Sequence, residues 1–448
     1  MASGSPSIRS IPFIDPIDAA RQLAGRSRLC FLDSAMVGPT LGRWSYLAAD
    51  PIGVFTVVDG VAYWQGEARP GAPMEVLRGL LSAHAFERDP SGPPFQGGAI
   101  GYVAYEAGHL FESIPTVGRG PVTQVDLAFF TDLIAFDVVE QRAYAIGSGV
   151  DPLVAQLATG RPVTGTAGDA TIVSWHDSRT RAQFEAEVAT VIDHIRAGDI
   201  FQANIAHRFT GRPRSVPDPV KTYAALRQAN PAPFAALLID GDRFVASTSP
   251  ERFVRVTGRQ VETRPIKGTR RRSADPATDA RIADELAASD KDRAENTMIV
   301  DLLRNDFSRV CEPDSVHVPT LCGVESYASV HHLVSVVTGR LRAGADVVDL
   351  ISATFPGGSI TGAPKIEAMK VISAIEQDPR GVYCGSIGWI GFDGDADLNI
   401  AIRTLVFDGR DFSLHAGGGI TLLSDPALEY DETLAKAERI LSVFKTSS

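Results

Sequence analysis

Apolar runs broken by short polar turns dominate the second half of the chain. FAALLIDGDRFVAST (234–248), RFVRVTGRQVETRP (252–265) and YCGSIGWIGFDGDADLNIAIRTLVFDGRDFSLHAGGG (383–419) place β-forming residues on both sides of Asp-Gly or Thr-Gly pairs. Such pairs are the strongest short-range signal for antiparallel hairpins. Helical spacing governs the stretches between. Thr180 and Gln183 form a capping box, Phe184, Val188, Val191 and Ile195 recur at helical intervals, and Gly198 stands where that helix should end. A strand, DIFQANIAHRF (199–209), follows, and further helices are expected at 279–309, 363–377 and 426–444. Asp425 and Pro426 supply the cap and first turn of the last one, with Tyr430, Leu434, Ala437, Leu441 and Phe444 as its buried stripe. Upstream, DLAFFTDLIAFDVVEQRAYAIG (126–147) reads as two β runs around a polar turn, and PFQGGAIGYVAYEAG (94–108) as a strand region interrupted by glycines. The pattern predicts an α+β protein of antiparallel sheets with helices on their faces. Residues 158–171, rich in Gly, Thr and Ala, lack periodicity and form a candidate linker between segments 1–157 and 172–448.

Composition narrows the partners. The chain has 448 residues, 44% of them hydrophobic, enough to bury a large core. Forty-three basic against 54 acidic residues give a net charge of −11, which disfavours nucleic acid and makes Arg270, Arg271 and Arg272 a local feature. No run of eighteen apolar residues and no signal-peptide core is present, so a cytoplasmic location and no membrane association are expected. Cys30, Cys311, Cys322 and Cys384 are widely spaced, as reduced thiols would be.

Several positions carry chemistry. In TRPIKGTRRR (263–272), Lys267 lies between a stiff proline and a glycine, with arginines that should disfavour its protonation and so favour a nucleophilic amine. A basic hairpin rim is the alternative. Glu251 follows Pro250 between two hairpins, where a loop can aim a carboxyl into a cleft. Glu295 lies near the expected buried side of its helix, marked by Met298 and Leu302. Glu432 and Lys436 are spaced as an i,i+4 surface pair, yet two carboxylates without His or Cys also suit Mg²⁺. FPGGSITGAPK (355–365) and HAGGGI (415–420) can present backbone N–H groups to an anion. Arg403, read as part of the apolar strand LNIAIRTLVF (398–407), needs a partner if buried, either an acidic side chain or a substrate carboxylate.

Taken together, SPERF, RPIKGTRR, DRAENTMIVDLLRND, HHLVS, FPGGSITGAPK, GVYCGSIGWIG, NIAIRTL and AGGGI…SDPALEYDETLAKA resemble the chorismate-utilising enzymes over residues 180–443, and among them most closely the aminodeoxychorismate synthase component I family. FLDSAMVGPTLGRWSYLAADP (31–51) is similar to the N-terminal region shared with anthranilate synthase component I. The resemblance implies that family's fold, antiparallel sheets packed as a sandwich with helices over the outer faces. It implies Lys267 as a nucleophile toward chorismate, Glu251 as general acid, and Glu295 and Glu432 as Mg²⁺ ligands. Arg403, Tyr383, Gly418, Lys436, His332, Ser359 and Thr361 match substrate-binding positions, and Ser34 matches part of a tryptophan pocket. Gln202 stands where isochorismate- and salicylate-forming relatives carry a lysine base. Lys267 and Ser359 replace the alanine and threonine usual in anthranilate synthases. Ammonia is expected from a separate glutamine amidotransferase, since no cysteine here lies in a nucleophile-elbow context. An anthranilate synthase-like enzyme and a non-catalytic effector-binding homologue are the competing expectations.

Overall fold

The computed structural model describes residues 5–446 except 39–40, 116–117, 119–120, 161–170 and 329, without the side chains of 171–174 and 445–446. Two large sheets face each other. Cys30–Asp33, Trp44–Ala48, Leu133–Asp137, Phe234–Asp240, Arg243–Ser249, Thr404–Asp408, Asp411–Ile420 and Gln202–Pro213 belong to a 13-stranded sheet. Gly53–Val58, Gly98–Val103, Thr123–Phe130, Arg252–Thr257, Gln260–Arg264, Ile266–Arg271, Val330–Arg340, Ser386–Gly391 and Ala396–Asn399 belong to a 12-stranded one. Among the described residues the pairing is antiparallel, apart from a short parallel contact between Thr171–Asp177 and Lys445–Thr446.

The space between the sheets is filled from both sides. Leu32, Tyr46, Leu133 and Val245 of the first pack with Ile100, Phe130, Ile387 and Trp389 of the second. The outer face of the first sheet is covered by the helices Pro16–Leu23, Pro219–Ala229 and Pro426–Leu441. Pro73–Ala83, Asp290–Ser308 and Val347–Thr354 cover the second. The α+β sandwich with helix-covered outer faces is thus the observed architecture. Segments on either side of 158–171 enter both sheets: Cys30–Asp33 pairs with Phe234–Asp240, and Gly98–Val103 with Ser386–Gly391. Residues 161–170 of the expected linker lie outside the described residues.

Local signals translate directly into structure at several points. The Thr180–Gln183 capping box forms, Gly198 closes its helix at φ 85°, and Asp425 accepts from the N–H groups of Ala427 and Leu428. Three expectations change. Residues 126–147 hold three strands, because the chain leaves the second sheet after Phe130 and enters the first at Leu133. The helix expected at 279–309 is two, Pro276–Ala287 and Asp290–Ser308, since Ser289 caps the second by accepting from Asp292 N–H. That second helix buries Asn296, Ile299, Val300, Leu303 and Phe307, leaving Met298 and Leu302 half-buried.

Close backbone approach fixes some glycines. A Cβ on Gly101 would stand 2.0 Å from the Asp126 carbonyl oxygen of the adjacent strand, whereas one on Gly79, in the helix Pro73–Ala83, would meet nothing within 4 Å. Gly101→Ala should therefore cost roughly 1–3 kcal/mol and lower the thermal midpoint. Gly79→Ala should leave the midpoint unchanged or raise it, by up to about 1 kcal/mol of helix propensity.

Candidate active site

The site forms where the chain crosses between sheets. One crossing runs from Ser249 to Arg252, the other from Asn399 to Thr404, and they lie side by side. Ile400 N–H donates to the Glu251 carbonyl at 3.0 Å, the Ser249 hydroxyl to the Ile400 carbonyl at 2.5 Å, and Thr248 N–H to the Arg403 carbonyl at 3.1 Å. Arg403 is accordingly not in a strand, as the apolar run around it suggested. It sits in the crossing at φ 53°, with its side chain turned out of both ladders. Glu251 is 6% exposed, and burial pushes its carboxyl up, opposed by the Ser359 hydroxyl, Lys267, the Ile266 N–H and Arg403.

Lys267 reaches the same place from the strand Ile266–Arg271. Its Nζ lies 3.4 Å from the Ser359 carbonyl oxygen, and the Ser359 side chain is among the groups that oppose the upward push on the Glu251 carboxyl. Gly268, at φ 79°, lets this strand bend against Asp292 and Leu286, whose side chains a Cβ would approach to 2.9 Å. The expected crowd of arginines is not what surrounds the amine. Arg264 pairs with Glu325, Arg270 with Asp292 at 3.0 Å and Arg272 with Asp279 at 2.7 Å. The charges facing Lys267 are the carboxylates Glu251, Glu295 and Glu432.

Glu295 and Glu432 come from different helices and face one another. Burial pushes the Glu295 carboxyl up, Lys267 and Lys291 oppose this, and Asp292 and Glu432 add to it. Glu432 is held below its ordinary value: burial works against ionisation, but Lys436, bonded at 2.7 Å, together with Lys291 and Lys267, outweighs it. Among the described residues no three His, Cys, Asp or Glu side chains gather closely enough to enclose a metal ion. Two facing carboxylates do fit Mg²⁺, which keeps several waters and takes substrate oxygens. Glu429 adjoins them, accepting from the Ser424 hydroxyl at 2.7 Å, with burial pushing its carboxyl up. It stands one turn before Glu432 and is an acidic neighbour to which the sequence reading assigned no role.

Beyond Arg403 lies a cavity of about 180 Å³ lined by Asn230, Tyr383, Arg403, His415, Lys436 and Arg439. Tyr383 stacks on His415 with ring centroids 5.4 Å apart. Lys436 Nζ donates to the Gly417 carbonyl at 2.8 Å, and any side chain at Gly418 would come within 3.2 Å of Glu429. Burial pushes the Arg403 guanidinium down to about 10, Arg439 adds repulsion and Glu251 opposes both. No described residue forms a hydrogen bond or ion pair with that guanidinium, so it is poised for an anion. His332 is buried, with Thr269 Oγ1 at 2.8 Å from its Nδ1, and burial, Arg403 and His331 push it down to about 4.

Three further positions have distinct surroundings. Thr361 donates its hydroxyl to the Gly357 carbonyl at 3.0 Å and so shapes the turn carrying Ser359. The Gln202 amide is fully buried without a hydrogen-bond partner, and its Nε2 would lie 2.4 Å from a Cβ at Gly419. Ser34 lies elsewhere, beside a cavity of about 140 Å³ between the sheets, with Asp33, Trp44, Pro233, Phe234 and Arg252. Its hydroxyl donates to the Trp44 carbonyl at 2.6 Å.

The family profile described as chorismate binding enzyme matches residues 43–442. The chain belongs to the chorismate-binding enzymes. It is 37% identical over 458 aligned positions to anthranilate synthase component 1 of Streptomyces coelicolor, covering 96% of this chain and 87% of the relative. It is 43% identical over 350 positions to aminodeoxychorismate synthase component 1 of Klebsiella aerogenes, covering 78% of this chain and 77% of that one. The crystal structure of anthranilate synthase component I from Streptococcus pneumoniae superposes with a TM-score of 0.80 at 31% identity, over 89% of this chain and 92% of that chain. Among the described residues of this chorismate-binding enzyme, no helix is long and apolar enough to cross a membrane.

Acid should destabilise the protein through its buried histidines. His332 is depressed to about 4 and His415 to about 3, from an ordinary value of 6.5, so each contributes stability above pH 6.5. As pH falls from there toward 4 the unfolded chain takes up protons first, and that stability is lost. The thermal midpoint should fall over this interval, and His332→Gln should make the fall shallower. An identical pH dependence in wild type and variant would refute the assignment.

Proposed function

We propose that this chorismate-binding enzyme is an aminodeoxychorismate synthase component I, converting chorismate and ammonia to 4-amino-4-deoxychorismate for p-aminobenzoate and folate synthesis. The carrying observation is that Lys267 Nζ lies 3.4 Å from the Ser359 carbonyl, with the buried Glu251 carboxyl close enough to both residues to feel them. Lysine at 267 and serine at 359 are the two departures from the anthranilate pattern, and they meet at one turn. In this reading Lys267 Nζ attacks C2 of chorismate, the two conjugated ring double bonds shift in turn to C1=C6 and C4=C5, and the C4 hydroxyl departs as water with the proton of Glu251. Ammonia then attacks C4, the double bonds return, and the C2–N bond breaks to release Lys267. The pushed-up carboxyl of Glu251 suits proton donation, and the unpaired Arg403 suits a substrate carboxylate. Glu295 and Glu432 would hold Mg²⁺, which supplies positive charge beside the ring carboxylate. Ammonia would come from a separate glutamine amidotransferase.

A second reading, an anthranilate synthase component I-like enzyme, is favoured by the longer alignment to the Streptomyces protein, 96% of this chain against 78% for the Klebsiella one. Incubation with chorismate, Mg²⁺ and an ammonium salt separates the two by product. We expect amination at C4 without glutamine. Anthranilate or amination at C2 would support the second reading, and no chorismate consumption would refute both. Chorismate without ammonia should leave a mass adduct on Lys267, absent in Lys267→Ala, which should also lose most C4 amination. A wild-type rate in that variant would remove the covalent route.

The metal reading has its own test. Glu432→Ala should weaken Mg²⁺ binding by about 10-fold or more in a calorimetric titration, with little change in thermal midpoint, because the side chain is more than half exposed and its ion pair with Lys436 lies at the surface. An unchanged titration would return Glu432 to the role of a surface ion pair.

A further inference from the structure

Beneath the turn that carries Ser359 lies a guanidinium that no substrate can touch. The Arg380 side chain is 1% exposed, and its N–H groups reach four acceptors at once. Nε donates to Glu376 Oε2 at 2.8 Å and Nη2 to Glu376 Oε1 at 2.6 Å, a two-pronged grip on the end of the helix Lys365–Glu376. Nη2 also donates to the Asn204 carbonyl at 2.5 Å and Nη1 to the Ile360 carbonyl at 3.1 Å. The planar group lies over the Tyr105 ring at 4.6 Å and near the Tyr383 ring at 5.9 Å. Around it, Glu376 Oε1 accepts from Ala206 N–H at 2.9 Å, and Glu106 accepts from the N–H groups of Arg380 and Gly381 at 2.6 and 3.0 Å.

Stability alone does not account for this arrangement. A buried ion pair recovers little more than its own desolvation, and apolar side chains of similar volume often serve folding as well. What apolar side chains cannot do is hold two backbone carbonyls from separate segments in fixed directions, a task suited to the rigid donor fork of arginine. One of those carbonyls belongs to Ile360, the residue after Ser359. Ile360 O has a second donor in Asn204 Nδ2 at 3.1 Å, so both side-chain donors to that carbonyl among the described residues come from one buried cluster. The Ser359 carbonyl faces Lys267 at 3.4 Å, and the Ser359 side chain helps hold the Glu251 carboxyl down against burial.

We propose that Arg380 is a positioning residue for chorismate turnover: by holding the Ile360 carbonyl it fixes the turn from which Ser359 orients both Glu251 and Lys267. This rests on the assignment of those two residues to the chemistry. Arg403 and Lys436, on the cavity side, are not bonded to Arg380, so the effect belongs in kcat and not in KM.

The test follows chorismate consumption, whatever the product, with saturating ammonium and Mg²⁺, in wild type, Arg380→Lys, Ser359→Ala and the double variant. Lysine keeps the charge but cannot reach all four acceptors. Each single variant should lower kcat by about 10-fold or more while KM for chorismate moves by less than about 2-fold. The double variant should be no slower than the slower single one, because Arg380→Lys already loosens the turn through which Ser359 acts. Losses that multiply, a loss confined to KM, or a wild-type kcat in Arg380→Lys would overturn the proposal. If Arg380→Lys lacks the wild-type near-ultraviolet circular dichroism, Asn204→Ala takes its place, since it removes the other donor to Ile360 O. The same kcat-selective, non-multiplying loss is then expected, and a wild-type kcat or a multiplied loss overturns the role. Wild-type inactivity toward chorismate would instead overturn the functional reading itself, and this role with it.

Discussion

The structure depends on how two chain crossings satisfy each other's backbone. A segment that leaves one sheet for another loses its ladder partners, and a buried unpaired N–H or carbonyl costs about as much as a lost hydrogen bond. Here the crossing at Pro250–Glu251 and the crossing at Ile400–Arg403 exchange those bonds. Glu251 accepts from Ile400, Ile400 from Ser249, and Arg403 from Thr248. The consequence is functional. Two side chains freed from strand alternation, a carboxyl and a guanidinium, are held at the same seam with their backbones fixed.

The charges gathered around this seam repel one another in opposite signs at its two ends, carboxylates at one and guanidiniums at the other. On one side Glu295, Glu429 and Glu432 cluster near Lys291, Lys267 and Lys436. On the other, Arg403 and Arg439 repel each other across a cavity with no described acidic partner for Arg403 beyond the nearby Glu251. A small dianion and a divalent cation would complete both ends, each relieving a repulsion that the empty protein carries. That distribution matches chorismate with its two carboxylates better than it matches a neutral metabolite.

Elements governed by local chemistry were legible in the sequence. The Thr180 box, the Gly198 and Asp425 caps and the Asp-Gly and Thr-Gly hairpins all formed where their residues stand, because each needs only neighbours within a few positions. What could not be read were facts set by tertiary routing. The run from Asn399 to Phe407 looks like one strand, yet it splits between two sheets, and hydropathy carries no record of which sheet a residue joins. The arginines around Lys267 misled for a related reason. Arg264, Arg270 and Arg272 are engaged by Glu325, Asp292 and Asp279, 61, 22 and 7 positions away, and hydropathy does not announce those pairings. The residues matched by motif resemblance, Glu251, Lys267, Glu295, Arg403 and Glu432, lie near one seam in the structure, and the resemblance was silent on Arg380 and Glu376.

Those silent residues show how the fold divides its work. The reacting face is left incomplete: Arg403 has no described hydrogen-bond partner, and the buried amide of Gln202 has none either. Directly beneath it, Arg380, Glu376, Glu106 and Asn204 are tightly interbonded. Unsatisfied polar groups in an interior are tolerable only where their surroundings are held firmly enough that they cannot collapse onto one another. The buried network supplies that restraint. It lets the seam above it keep the Arg403 guanidinium directed at a cavity that a substrate can fill.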